Sequence, residues 1–145
     1  MTMPVESVAH TIQLSVAPVF LLTALGTFMA VLSSRLVRIV DRARILGDRL
    51  PTATGTPLVR FREELQTLGR RRRLVNFAFT AAVTSAILVC TIIGSLFLGS
   101  ILDVRVSGLA AVLFVAAMLA FITALLLFLR EIMMAVASVK IDGAP

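Results

Sequence analysis

At 145 residues the chain has the length of one domain, but 59% of it is hydrophobic and only 15% charged, where a soluble domain carries about a quarter charged. That balance excludes an ordinary water-soluble fold and points to the bilayer as solvent. Fourteen Lys and Arg against eight Asp and Glu give a net charge of +6, and eleven of the fourteen lie between Ser33 and Asn76. Apolar runs flank that segment and the run Arg70 to Arg73 has no interleaved aromatics, so membrane topology explains the charge more simply than nucleic acid does. A lone cysteine, Cys90, leaves no disulfide framework and no zinc spacing.

The first apolar stretch covers about residues 8–32, long enough to span a membrane. Nothing before Arg35 is basic except His10, whereas a secretory signal begins with positive charge. The run is therefore expected to be a retained helix with its N-terminus outside. Pro18 either kinks this helix or starts it, after a short interfacial helix carrying Glu6 and His10. Gly26 and Ala30 form a small-xxx-small pair that admits another helix closely.

Residues 35–73 read as a basic helical hairpin. Leu36, Ile39, Ala43, Leu46 and Leu50 recur at steps of three and four, a coiled-coil seam. The segment 51–57, PTATGTP, ends that helix and turns the chain. Thr56 is a natural cap with Pro57 at the first helical position. The returning arm repeats the seam with Leu58, Phe61, Leu65, Leu68, Arg72 and Val75. Folded antiparallel, the arms set Leu46 near Phe61 and Ile39 near Leu68, and bring Arg42 beside Glu64. Gly47 and Gly69 flank the seam, where close packing is expected to use them.

The second span runs from about 74 to 102. Ala78, Ala82, Ala86, Cys90 and Gly94 stand every fourth residue as a ridge of small side chains, the mark of helix contact in lipid. Thr80, Thr84, Thr91 and Ser95 lie on another stripe, open to two readings: bonds to carbonyls of helices, or the lining of a pore in an oligomer. A connection holding Asp103 and Arg105 leads to the third span, 107–129, with its own small series Ala116, Ala120 and Ala124. A cytoplasmic tail, 130–145, follows. With the hairpin in the cytoplasm, Arg130 and Lys140 join it, and Arg105 alone of the basic residues lies outside. The fold expected is all-α and integral to the membrane: three transmembrane helices, the first two extended into a cytoplasmic antiparallel hairpin.

The arrangement of RLVRIVDRARIL, then RRRRLVN, with APVFLLTALG before and LLLFLREI after, resembles the bacterial membrane family known as domain of unknown function 2721. The likeness extends from about Ile12 to Ala135. It implies a bacterial cytoplasmic membrane, and marks Pro18, Arg35, Arg38, Asp41, Arg42, Arg44, Arg70 to Arg73, Arg130 and Glu131. It brings no activity with it.

Two constellations stand out. Asp41 sits among Arg38, Arg42 and Arg44 and can pair along the helix for about 0.2–0.5 kcal/mol per pair. The arginines Arg35, Arg38, Arg42, Arg44, Arg70, Arg71 and Arg73 can instead meet anionic lipid headgroups or a protein partner. Arg72 occupies a seam position where Leu is expected; it either snorkels outward or finds an acid. A bridge from Arg35 or Arg72 to Glu131 would tie the hairpin to the third span. No Ser-His-Asp set, HExxH or phosphate-cradling glycine loop appears, so neither enzyme activity nor a metal or cofactor is expected. Two functions remain: a homo-oligomeric scaffold or regulator whose basic hairpin meets lipid or a partner, or a pore-forming oligomer lined by the hydroxyl stripe.

Overall fold

The apolar stretches and the arginine-rich arms fold as three helices. A computed structural model describes the backbone of residues 5–52, 54–102, 104 and 106–139, and the side chains of residues 9–136 among these; Glu6, Asp103, Arg105 and Lys140 fall outside the described side chains. Helix α1 covers Val5–Arg49, a 3-10 turn Leu50–Thr52, helix α2 Thr56–Leu102 and helix α3 Ser107–Val139. All three are long and apolar enough to cross a membrane. At 1.5 Å per residue α1 and α2 each measure about 70 Å, more than twice the ~30 Å hydrocarbon core. Each must therefore extend well beyond any bilayer it crosses.

Helix α1 runs through Pro18 without interruption, which corrects the expectation that a helix starts there. A proline costs one backbone bond, and a long helix tolerates the loss where neighbouring groups compensate. Pro18 is buried. At the far end Gly55 takes φ 68°, a left-handed conformation that glycine adopts freely. Its carbonyl accepts from the Leu58 N–H at 3.2 Å, closing the first turn of α2.

By its contacts the chain divides into two units: Met1–Met29 with Ala81–Thr123, and Ala30–Thr80 with Ala124–Pro145. In the first, none of the residues whose side chains are described is Asp, Glu, Lys or Arg. Its buried positions are Thr11, Ser15, Pro18 and Leu25 on α1, Ala82, Ser85, Val89, Ile92 and Gly99 on α2, and Ala110 and Ala117 on α3. Small residues dominate on α2 and α3 because lipid gives helices no hydrophobic reason to associate; close backbone approach must supply the attraction. Ser85 uses that proximity, donating its hydroxyl to the Ala117 carbonyl at 2.8 Å. Phe28 meets Phe121 edge to face with centroids 5.7 Å apart, a geometry favoured by ring quadrupoles. Where the chain leaves α2, the Val104 N–H donates to the Gly99 carbonyl at 3.0 Å. A Cβ at Gly99 would lie 2.5 Å from Val106 Cγ2 and 3.0 Å from the Val104 carbonyl oxygen.

The second unit holds the hairpin. Leu32, Ile39 and Leu46 are buried on α1, seven residues apart, and Leu68 and Val75 repeat the step on α2. This is the heptad seam of an antiparallel helical pair. That register brings Arg42 Nε to Glu64 Oε1, to which it donates at 2.7 Å. Gly47 and Gly69 meet nothing within 4 Å of a built Cβ, so neither is needed for close packing. Both are exposed, as are Gly26 and Ala30.

Gly99→Ala is expected to lower the thermal stability of the detergent-solubilised chain, since overpacking costs about 1–3 kcal/mol. Gly47→Ala is expected to leave it unchanged or raise it by up to about 1 kcal/mol through helix propensity. Melting of the two variants side by side checks both.

Candidate functional site

A helix that buries one residue in about 3.5 presents a different stripe from one read every fourth residue. Four residues advance about 400°, so a ridge with that spacing drifts some 40° per step. The predicted ridge follows this drift: Ala78 and Ala82 are fully buried, Ala86 is half-buried, and Cys90 and Gly94 are exposed. The buried stripe instead continues through Ser85, Val89 and Ile92. On α3 the same correction replaces the series Ala116, Ala120, Ala124 by Ala110, Ala117 and Ala124, all buried and seven apart. The next member of that row is Glu131.

Glu131 is wholly buried, where an isolated carboxylate would cost several kcal/mol to desolvate. Two guanidinium groups compensate. Its Oε2 accepts from Arg35 Nη1 at 3.2 Å; its Oε1 accepts from Arg71 Nε at 3.1 Å and Nη2 at 2.8 Å. Each helix contributes one member, so the three bonds tie α1, α2 and α3 together within this unit. Phe128, one turn before Glu131, lies with its ring centroid 5.1 Å from Arg35 Cζ, a cation–π contact that turns the same guanidinium toward α3. The side chains of Arg35 and Arg71 remain 37% and 21% exposed. The charge is thus shared with the surface instead of being sealed away.

The sequence expectation of an Arg35–Glu131 bridge is met. Its companion is Arg71, not Arg72, which is exposed. The seam steps from Leu68 by three to Arg71 and by four to Val75, and Arg72 falls on the water side of that step. Arg44, Arg70 and Arg73 are also exposed. Asp41 is exposed and makes no ion pair among the described residues. A solvated pair there offers too little to hold a side chain. Arg42, at the surface, is held still further above its ordinary pKa by Glu64, first through their hydrogen bond and then through charge attraction.

Between the arginines of this unit lies a cleft of about 360 Å³, lined by Arg35, Arg38, Arg42 and Arg71 and by the buried Ile39 and Leu68. Arg38 is exposed and engages no carboxylate among the described residues. In the first unit a separate apolar groove is lined by Met29, Val83, Ala86, Ile87, Cys90 and Thr91. The hydroxyls of Thr80, Thr91 and Ser95 donate to the carbonyls of Asn76, Ile87 and Ile92 on their own helix, at 3.0, 2.9 and 2.8 Å, and Thr84 on the same stripe is exposed. Among the described residues no three His, Cys, Asp or Glu side chains gather as metal ligands would.

Three helices apolar enough to span a bilayer, with every Asp, Glu, Lys and Arg whose side chain is described lying in one unit, fit a multi-span helical membrane protein. The chain belongs to the family described as Protein of unknown function (DUF2721), which matches residues 15–141. Neither the comparison with curated proteins nor that with solved structures returns a match.

Arg71→Ala is expected to lower stability by about 1.5–3 kcal/mol, the worth of a hydrogen bond to a charged group. Arg72→Ala is expected to stay within about 0.5 kcal/mol of wild type, as surface substitutions do. Melting temperatures in one detergent distinguish the neighbouring residues.

Proposed function

We propose that this protein is a non-enzymatic, homo-oligomeric scaffold or regulator of the bacterial cytoplasmic membrane, whose basic hairpin meets anionic lipid headgroups. The observation that carries the reading is the concentration of arginine in the unit that holds the hairpin, where Arg38, Arg44, Arg70 and Arg73 are all exposed. Clustered arginines beside a span attract anionic lipid at about 1 kcal/mol per charge near the surface. The positive-inside bias of the sequence supports a cytoplasmic hairpin and C-terminus with the N-terminus outside. The hydroxyl stripe supports a scaffold over a pore, because Thr80, Thr91 and Ser95 commit their protons to their own helix. Self-association draws support from the open groove at Ala86 and Cys90, whose small side chains let a neighbouring helix come close.

Full-length protein in nanodiscs of phosphatidylglycerol is expected to melt higher than in phosphatidylcholine. The difference should shrink toward 1 M salt, where the Debye length falls to about 3 Å. Equal melting in both lipids would remove the lipid reading. A Thr54→Cys variant in a Cys90→Ala background is expected to resist impermeant reagents applied to intact cells and to react after lysis; labelling from outside reverses the orientation. Ala86→Leu is expected to weaken assembly by about 1–3 kcal/mol, read as a smaller particle in light scattering. An unchanged particle size would leave that face to lipid.

A further inference from the structure

Deepening the reading of an anionic-lipid partner, and resting on it, we infer that the cleft between Arg35, Arg38, Arg42 and Arg71 is a discrete binding site for one phosphate ester, with Arg38 as its principal ligand. Residues 31, 35, 38 and 42 fall on one face of α1 by helical spacing, and Arg71 faces them from α2. The cleft therefore collects guanidinium groups from two helices within one unit.

The charges around it do not cancel. Arg35 and Arg71 share the single carboxylate of Glu131, and Arg42 pairs with Glu64. Arg38 has no acidic partner among the described residues, so these four cations and two anions leave an excess of two positive charges. An anion completes the set. A guanidinium presents N–H donors in a planar fork that matches two phosphate oxygens, and this pairing is among the stronger charge-assisted hydrogen bonds.

The remaining lining says what else the ligand carries. Val31, Ile39 and Leu68 offer apolar surface beside the arginines. Ile39 and Leu68 are buried side chains of the hairpin seam, so this surface is fixed by the packing of the hairpin. An ester whose phosphate meets the guanidinium groups and whose carbon substituent lies over Val31, Ile39 and Leu68 uses both. A glycerophospholipid headgroup has that division, and free phosphate has its anionic half alone.

The test titrates the full chain in neutral detergent with dioctanoyl phosphatidylglycerol and, separately, with inorganic phosphate, by calorimetry. Wild type is expected to bind the lipid saturably; Arg38→Ala is expected to weaken binding about tenfold or more, as loss of a charged hydrogen bond does. Arg38→Lys should recover part of the loss, and Arg62→Ala, which removes an exposed arginine outside the cleft, should change nothing. Inorganic phosphate binding as tightly as the lipid, with the same loss in Arg38→Ala, supports the site and names the anion alone as its ligand. Equal weakening by Arg38→Ala and Arg62→Ala overturns the discrete site, and leaves the lipid reading standing as a diffuse surface effect. Absence of saturable binding of either probe to wild type also overturns the site, whereas the lipid reading falls only if the nanodisc melts coincide as well.

Discussion

A buried carboxylate that must be matched by two cations governs the charged half of this protein. Taking Glu131 out of water costs several kcal/mol that packing alone cannot return. Three hydrogen bonds from Arg35 and Arg71 offset that cost. They do so only if α1, α2 and α3 hold their register within the unit, because charge-assisted bonds of 2.8–3.2 Å tolerate little slip. The heptad seam of Leu32, Ile39 and Leu46 against Leu68 and Val75 supplies the register from one side, and Arg42 with Glu64 repeats it further along the hairpin. A short helical pair is marginal by itself; the bond to α3 is what anchors this one.

The other half obeys a different solvent. Its described side chains include no Asp, Glu, Lys or Arg, and large apolar side chains such as Phe20 and Val112 stand 72% and 68% exposed. In water such a surface would aggregate. Against acyl chains it is neutral, and cohesion comes from small residues, the Ser85–Ala117 bond and the Phe28–Phe121 contact. The division of chemistry along the chain thus sets the functional reading: an apolar unit suited to lipid, and a charged unit that offers guanidinium groups to an anion.

Much of this was legible in the residues alone. Two arms with the same three-and-four spacing admit one antiparallel register, and that register brings Arg42 to Glu64. Span length and hydropathy identify the three helices because backbone groups in lipid leave few alternatives. The failures are equally specific. Arg71 and Arg72 straddle the seam, and a difference of one residue, about 100° of helix rotation, decides which meets Glu131; spacing on α2 alone does not resolve it. The fourth-residue ridge misled because small side chains at Ala86, Cys90 and Gly94 look alike whether they face a helix or lipid. The row Ala110, Ala117, Ala124 was present to be read, and Glu131 at its next step was the signal of a buried acid. Gly99 was missed because its need arises from Val106, across the turn that follows α2.

The most direct measurement is a rescue. Removing both guanidinium groups, in Arg35→Ala with Arg71→Ala, strands the Glu131 carboxylate and is expected to cost about 3–5 kcal/mol, the penalty for an uncompensated buried charge. Adding Glu131→Gln to that double variant removes the stranded charge and is expected to recover a large part of the lost stability in thermal or denaturant melts of the full chain. A triple variant no more stable than the double would mean that Glu131 is not held as a buried ion between Arg35 and Arg71, and would contradict the central claim.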